Sequence, residues 1–282
     1  MGLQIKSKGA SLAIAVGTLL AGAPAAEATT IFGITEKKEL AKFDSKNPAN
    51  VKTTKLRGLR NGVELVGIDQ RPSNGKLYGI GDNSTVYRIS ARAKTIKIGD
   101  GFDNVQLMPP SPGVALEGDS FGVDFNPVPD AIRIVSNTGQ NLRVSPETGD
   151  LISEDGEING ANASIVDAAY TSSRQSSKPP EAATLYVLDA RKDRVYTQNP
   201  PNDGTLTNPV NLDINITRTS GFDLVGSGRK GFIADSQGEN TKLYRVRGET
   251  TIGLRGDTKK LGTVRAGSKL TALAVDQPQV YP

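Results

Sequence analysis

From Thr30 onward the chain alternates apolar and polar residues in short runs, each closed by Gly, Asn, Asp or Pro. Period-two alternation rich in Val, Ile, Tyr and Thr and bounded by turn formers predicts strands joined by hairpins. The clearest group reads ELVGIDQR (64–71), KLYGIGD (76–82), TVYRIS (85–90) and TIKIGD (95–100). The same succession returns as FGVDFNP, AIRIVSN, NLRVSPE and DLISEDG, then as SIVDAAYT, ATLYVLDA, RVYTQN and PVNLDI, and again as GFDLVGS, KGFIADS, KLYRVRG and KKLGTV. No stretch beyond residue 28 carries helical periodicity, so the reading is all-β.

Three of these groups open on a shared signature, Gly67-Ile68-Asp69, Gly122-Val123-Asp124 and Gly221-Phe222-Asp223, and Val166-Asp167 opens the remaining one. Four-stranded antiparallel units recurring every 43 to 56 residues predict a β-propeller, in which sheets pack face to face around an axis. The first part of the chain offers only three strands, within 30–36, 39–44 and 51–57, and the fourth is available at 269–275. Pairing these two segments inside one blade hides two sheet edges and closes the ring, which predicts five blades over residues 29–276, followed by a short tail at 277–282. Two stretches break the spacing, Met108-Pro-Pro-Ser-Pro-Gly113 and Ser172 to Pro180, and their prolines and serines predict strand-free exposed loops, the products of drift or the rim of a binding face.

The beginning of the chain differs from everything after it. Lys6 and Lys8 precede an apolar stretch from about Ala10 to Ala21, and Ala26-Glu27-Ala28 sets small residues at a cleavage site, so residues 1–28 are expected to be a secretory signal peptide. The apolar stretch is short of the ~20 residues that cross a bilayer. The expected product is exported, periplasmic or extracellular, without an integral membrane segment, and monomeric.

Composition then removes chemistry. Among 282 residues there is no Cys, His or Trp, which excludes His- or thiolate-based nucleophile systems, histidine or thiolate zinc sites and disulfides. The net charge of +4 is spread along the chain, with basic runs such as Lys52 to Arg57 alternating with apolar residues as on the wet face of a strand. Dense basic stripes with interleaved aromatics are missing, and no nucleic-acid partner is expected.

The segments GVDFNPVPDAIRIVSNTGQNLRVSPETGD (122–150), DAAYT (167–171), ATLYVLD (183–189) and QNPPNDGTL (198–206) resemble the secreted bacterial family catalogued as domain of unknown function 4394, over roughly residues 31–275. The resemblance implies a propeller-like exported domain and brings no catalytic residues.

Two constellations remain for chemistry. The repeated Asp69, Asp124, Asp167 and Asp223 fall on the innermost strand of successive blades, where a ring of carboxylates is a candidate site for a hard cation such as calcium, or a set of braces accepting backbone N–H groups. The final strand carries Ala272-Leu273-Ala274 instead, so the ring is incomplete. Gln140, Asn141 and Arg143 at one strand start, and Gln198 with Asn199 at another strand end, are candidate ligand-binding groups for sugar hydroxyls or a carboxylate; hairpin formation explains the same residues. The leading functional reading is a non-catalytic binding or scaffold propeller for a protein, glycan or small molecule. The alternative is a calcium-assisted or carboxylate-based hydrolase or lyase at the channel, since two carboxylates suffice for glycoside cleavage when suitably spaced.

Overall fold

The structure, a computed structural model, describes residues 1–2, 28–103, 106–107, 110–111, 113–159, 163–249 and 253–279. Most of the expected signal peptide therefore lies outside the described residues. Along the chain, blade one receives β1 (Thr30–Thr35), β2 (Glu39–Asp44) and β3 (Asn47–Lys55), and blade two is β4 (Leu65–Gln70), β5 (Leu77–Gly81), β6 (Thr85–Ile89) and β7 (Thr95–Ile98). After a ribbon of β8 (Gln106–Leu107) and β9 (Pro110–Ser111), blade three is β10 (Phe121–Asn126), β11 (Ala131–Ser136), β12 (Asn141–Val144) and β13 (Leu151–Glu154). Blade four is β14 (Ile165–Tyr170), β15 (Leu185–Asp189), β16 (Arg194–Gln198) and β17 (Leu206–Asn211), with a short 3-10 turn at Pro201–Asp203. Blade five is β18 (Ser220–Val225), β19 (Lys230–Gln237), β20 (Asn240–Glu249) and β21 (Gly253–Val264), and the chain then returns to blade one as β22 (Leu270–Val275).

All five sheets are antiparallel and four-stranded, so the molecule is a five-bladed propeller. Blade one has the order β22-β1-β2-β3: Ile31 pairs with Val275, Phe32 with Ala274 and Gly33 with Leu273, which is the composite closure expected from the two three-and-one sets of runs. Two details differ from the sequence reading. Strand β3 begins at Asn47 rather than Val51 and includes Pro48, which an outermost strand tolerates because the missing N–H has no ladder partner to lose. The Met108–Gly113 region is not strand-free, since Gln106 pairs with Ser111 and Leu107 with Pro110 at its flanks.

The core lies between blades. Tyr78, Ile80 and Val86 of blade two meet Val123, Phe125, Ile132 and Ile134 of blade three, with Tyr78 and Phe125 edge to face at 5.3 Å. Val166 and Leu188 of blade four meet Phe222, Leu224 and Ile233 of blade five in the same way. Burying each such side chain contributes about 1.5–3 kcal/mol.

The signature glycines let inner strands approach this closely. A Cβ at Gly122 would stand 2.5 Å from the backbone of Asp167 and Ala168, one at Gly221 2.6 Å from the Leu273 Cβ, and one at Gly67 would overlap Val123. Gly122 faces rigid backbone, so Gly122→Ala is expected to destabilise the fold by about 1–3 kcal/mol, read as a lower urea midpoint at unchanged m-value.

Candidate functional site

The innermost strands β4, β10, β14, β18 and β22 present their unpaired edges to the axis. Backbone N–H groups on such an edge need acceptors once buried. The repeated aspartates supply them, each across a blade boundary. Asp69 Oδ2 accepts the N–H of Phe125 at 2.8 Å, Asp124 Oδ1 that of Tyr170 at 3.0 Å, Asp167 Oδ2 that of Phe222 at 2.6 Å, and Asp223 Oδ2 that of Val275 at 2.6 Å. Asp69, Asp167 and Asp223 use the second oxygen for the N–H of the following residue, Gln70, Ala168 and Leu224.

Asp167 is out of step with the others. Asp124 bonds the strand next to it at Tyr170, whose preceding residue Ala169 therefore occupies the position equivalent to Asp69 and Asp124, and Asp167 stands two residues earlier beside a bulge between Ile165 and Asp167. The structure accordingly gathers Asp69, Asp124 and Asp223 into one layer, with carboxylate oxygens within 4.8 Å of one another, and leaves Asp167 outside that group. Among the described residues this is the one cluster of three or more acidic side chains with such convergence. The fifth boundary, where β22 carries Ala274, is closed in the opposite sense: Gln70 Oε1 accepts the N–H of Gln277 at 2.6 Å and its Nε2 donates to Asp276 Oδ1 at 2.9 Å.

Burial dominates the electrostatics here. Desolvation, followed by the charge of Asp223, raises Asp69 well above its ordinary value of 3.8, and desolvation followed by the charges of Asp69 and Asp223 does the same to Asp124. Burial raises Asp167 against the opposing bonds from Phe222 and Ala168, and pushes Asp223 up to about 7 against those from Val275 and Leu224.

The axis ends differently at its two mouths. Where the inner strands begin, a pocket of about 220 Å³ is lined by residues such as Val66, Phe121, Val166, Thr219 and Thr271, and none of the four aspartates lines it. Where they end, the Ser172–Pro180 segment reaches across to the turns that follow other inner strands: Ser173 N–H donates to Gly226 O at 3.1 Å, Gln175 N–H to Pro278 O at 3.0 Å and Ser176 N–H to Pro72 O at 3.0 Å.

The amide and arginine candidates are placed separately. Gln140 Nε2 donates to Ala115 O and its Oε1 accepts from Glu117 N–H, which ties the blade-three hairpin to the preceding loop. Asn141 is buried and donates to Gly156 O at 2.9 Å and Pro201 O at 3.0 Å while accepting from Arg133. Arg143 makes a two-bond fork to Asp155, at 2.7 and 2.8 Å. Gln198 donates to Pro201 O at 2.7 Å, but its buried Oε1 has no partner, and with Asn199 it lines a cleft of about 460 Å³ between blades four and five.

Sequence reading missed the centre of this network, Arg133, which is 0% exposed. It bonds Asp155 at 2.6 Å, Asn141 at 2.7 Å and Asn202 at 2.7 Å, joining blades three and four. Burial opposes ionisation of Asp155, but Arg143, Ser153 and Arg133 together hold its carboxyl below 3.8. The register pairs Arg133 with Arg143 directly across β11 and β12, an arrangement of like charges that calls for a shared anion and is the one signal that could have located it. A second missed anchor is Arg71, forked onto Asp130 at 2.9 and 2.6 Å and bonded to Glu147 at 2.5 Å across blades two and three.

The family profile described as Domain of unknown function (DUF4394) matches residues 39–274. No curated protein matches the sequence. Among solved structures, the chain is similar to one from a nidogen/laminin complex at 11% identity, covering 90% of this chain and 100% of that one with a TM-score of 0.49. It is also similar to Kuenenia stuttgartiensis hydrazine synthase, at 11% identity, 67% and 49% coverage and a TM-score of 0.37, so it spans about half of that chain. A third is the Dos1 propeller, at 9% identity, 76% and 53% coverage and a TM-score of 0.38.

The raised carboxyls set a direction for pH. Between 3.8 and about 7 the unfolded chain ionises Asp223 while the fold favours its protonated form, so the unfolded chain holds fewer protons and stability falls as pH rises through this window, with the raised Asp69, Asp124 and Asp167 acting in the same direction. In calcium-free buffer the Tm is expected to fall between pH 4 and pH 7.5, and the slope to flatten in an Asp69→Asn/Asp124→Asn variant, measured by calorimetry.

Proposed function

We propose, for a chain that belongs to the DUF4394 family, an exported and non-catalytic binding or scaffold propeller. The observation that carries this reading is the use made of the four axial carboxylates, three of them converging: each takes a backbone N–H from the next blade. Carboxylates that are buried and already occupied by backbone N–H groups between blades are poorly placed to reach a substrate as nucleophile or base. Recognition then falls to the clefts and loops outside the axis. Gln198 and Asn199 suit that role because both line the open cleft between blades four and five and carry amide groups of the kind that pair with hydroxyl or N–H donors of a glycan, peptide or small ligand. The leader-like residues 1–28 support export.

A second reading keeps a cation in the channel, and one observation favours it: the oxygens of Asp69, Asp124 and Asp223 lie within 4.8 Å of one another, a donor set of the hard type that calcium takes. In that reading the ion serves the hydrolase or lyase alternative. The residues would bind the ion at the cost of some of their blade-to-blade bonds.

Calorimetric unfolding with millimolar calcium, and again after chelation, separates the two. A ligand that binds only the folded state raises the Tm by mass action. The binding-propeller reading expects an unchanged Tm; a saturable rise that disappears in Asp69→Asn/Asp124→Asn would replace it with the channel-cation reading.

A further inference from the structure

An open cleft of about 800 Å³ lies between blades one and two, far in sequence from the Gln198 cleft. Its walls combine an apolar floor with a cationic rim. The floor is apolar: Phe32 and Leu40 from blade one face Leu77 and Ile89 from blade two, and Ile96 on the outer strand of blade two is 41% exposed. Above the floor stand six cationic side chains, Lys42 and Lys52 on β2 and β3, Arg57 just beyond β3, and Lys76, Arg88 and Arg92 from blade two.

No carboxylate lines this cleft, and none of the six cations forms an ion pair among the described residues. Elsewhere on the same protein arginines are neutralised, Arg71 by Asp130 and Glu147 and Arg133 by Asp155. Strand alternation places Lys52 and Thr54 toward the cleft while their neighbours Thr53 and Lys55 point away, so the basic run Lys52 to Arg57 is a solvated strand face one side of which borders the cleft. Lys42 lies over the Phe32 ring at 5.4 Å, its stem covering apolar surface while its ammonium stays available.

Two of the arginines also border a second depression. Arg57 and Arg92 line both this cleft and an adjoining depression of about 340 Å³ completed by Gly58 and Lys94. Backbone bonds fix that junction: Arg57 N–H donates to Ala93 O at 3.0 Å and Thr95 N–H donates to Arg57 O at 2.8 Å, leaving both guanidinium groups for something else. One end is thus cationic and wet, and the rest is an apolar trough with cations along its rim.

We propose that this cleft binds a small amphiphilic anion, with its carboxylate, sulfate or phosphate head between Arg57 and Arg92 and its aliphatic body along Phe32, Leu40 and Leu77. The volume falls within the ~300–1,000 Å³ range of small-molecule sites, and the head group supplies the counter-charge that the protein itself does not. The site lies on different blades from the Gln198 cleft and stands whether or not that cleft binds a ligand.

Isothermal titration of the full chain with decanoate, kept below its micellar range, tests the assignment. The expected result is saturable one-to-one binding, no saturable binding of decyltrimethylammonium, and a loss of at least roughly tenfold in affinity in Arg57→Gln/Arg92→Gln. Both residues are exposed and make only backbone bonds, so the variant should melt with the wild type. A second variant, Ile96→Glu, puts a carboxylate against the trough and should weaken decanoate without touching the head site. Absence of saturable decanoate binding overturns the proposal, as does equal binding of the cationic amphiphile or unchanged affinity in both variants. Titration with dextran sulfate covers the remaining rival: if that polymer binds in an arginine-dependent manner and decanoate does not, the trough is unused and the cleft is a basic face for polyanions.

Discussion

The architecture depends on a hydrogen bond between a carboxylate on one inner strand and the backbone N–H of the next. A propeller leaves the axial edge of every blade without a sheet partner, and water has little room to serve there. Asp69, Asp124, Asp167 and Asp223 turn that deficit into blade-to-blade attachment, and the glycines two positions ahead of Asp69, Asp124 and Asp223 remove the side chain that would hold the strands apart. The cost is electrostatic, because four acids are drawn into one dry axis. Burial and mutual repulsion raise them toward neutrality, so the brace and the proton are linked.

Farther from the axis the attachments change character. Arg71 forks onto Asp130 between blades two and three, and Arg133 collects Asp155, Asn141 and Asn202 between blades three and four. These buried guanidinium groups fix the angle between neighbouring sheets through directional bonds, where apolar packing alone tolerates sliding. Between blades one and two the ion pair among the described residues is the exposed Lys38–Glu64 at 3.5 Å, and there the cleft stands open with its own cations unspent.

Much of the fold was legible in the sequence because period-two runs, turn residues and a repeated Gly-x-Asp signature all report local geometry. The three-stranded beginning and the solitary last strand even exposed the composite blade. The axial aspartates were legible as a set, but the displacement of Asp167 shows only once Asp124 is seen to bond Tyr170, which puts Ala169 at the brace position and Asp167 two residues earlier, where other inner strands carry Gly67, Gly122 and Gly221. Arg133 was illegible for a related reason: in AIRIVS the alternation assigns it to a wet face, whereas the blade packs both faces and buries every residue of β11. Gln140, Asn141 and Arg143 were conspicuous as polar residues, yet only tertiary contacts show that their partners are internal.

The composite blade has a consequence for how the molecule comes into being. Strand β1 and strand β22 are far apart along the chain, with the other four blades between them, and Asp276 N–H reaches back to Thr30 O at 3.0 Å to seal them. Until β22 exists, β1 has a bare edge, Asp223 lacks Val275, and the Gln70 clasp has no tail to grip. The ring thus cannot be completed progressively, blade by blade, as synthesis proceeds; its cooperativity is postponed to the arrival of one six-residue strand.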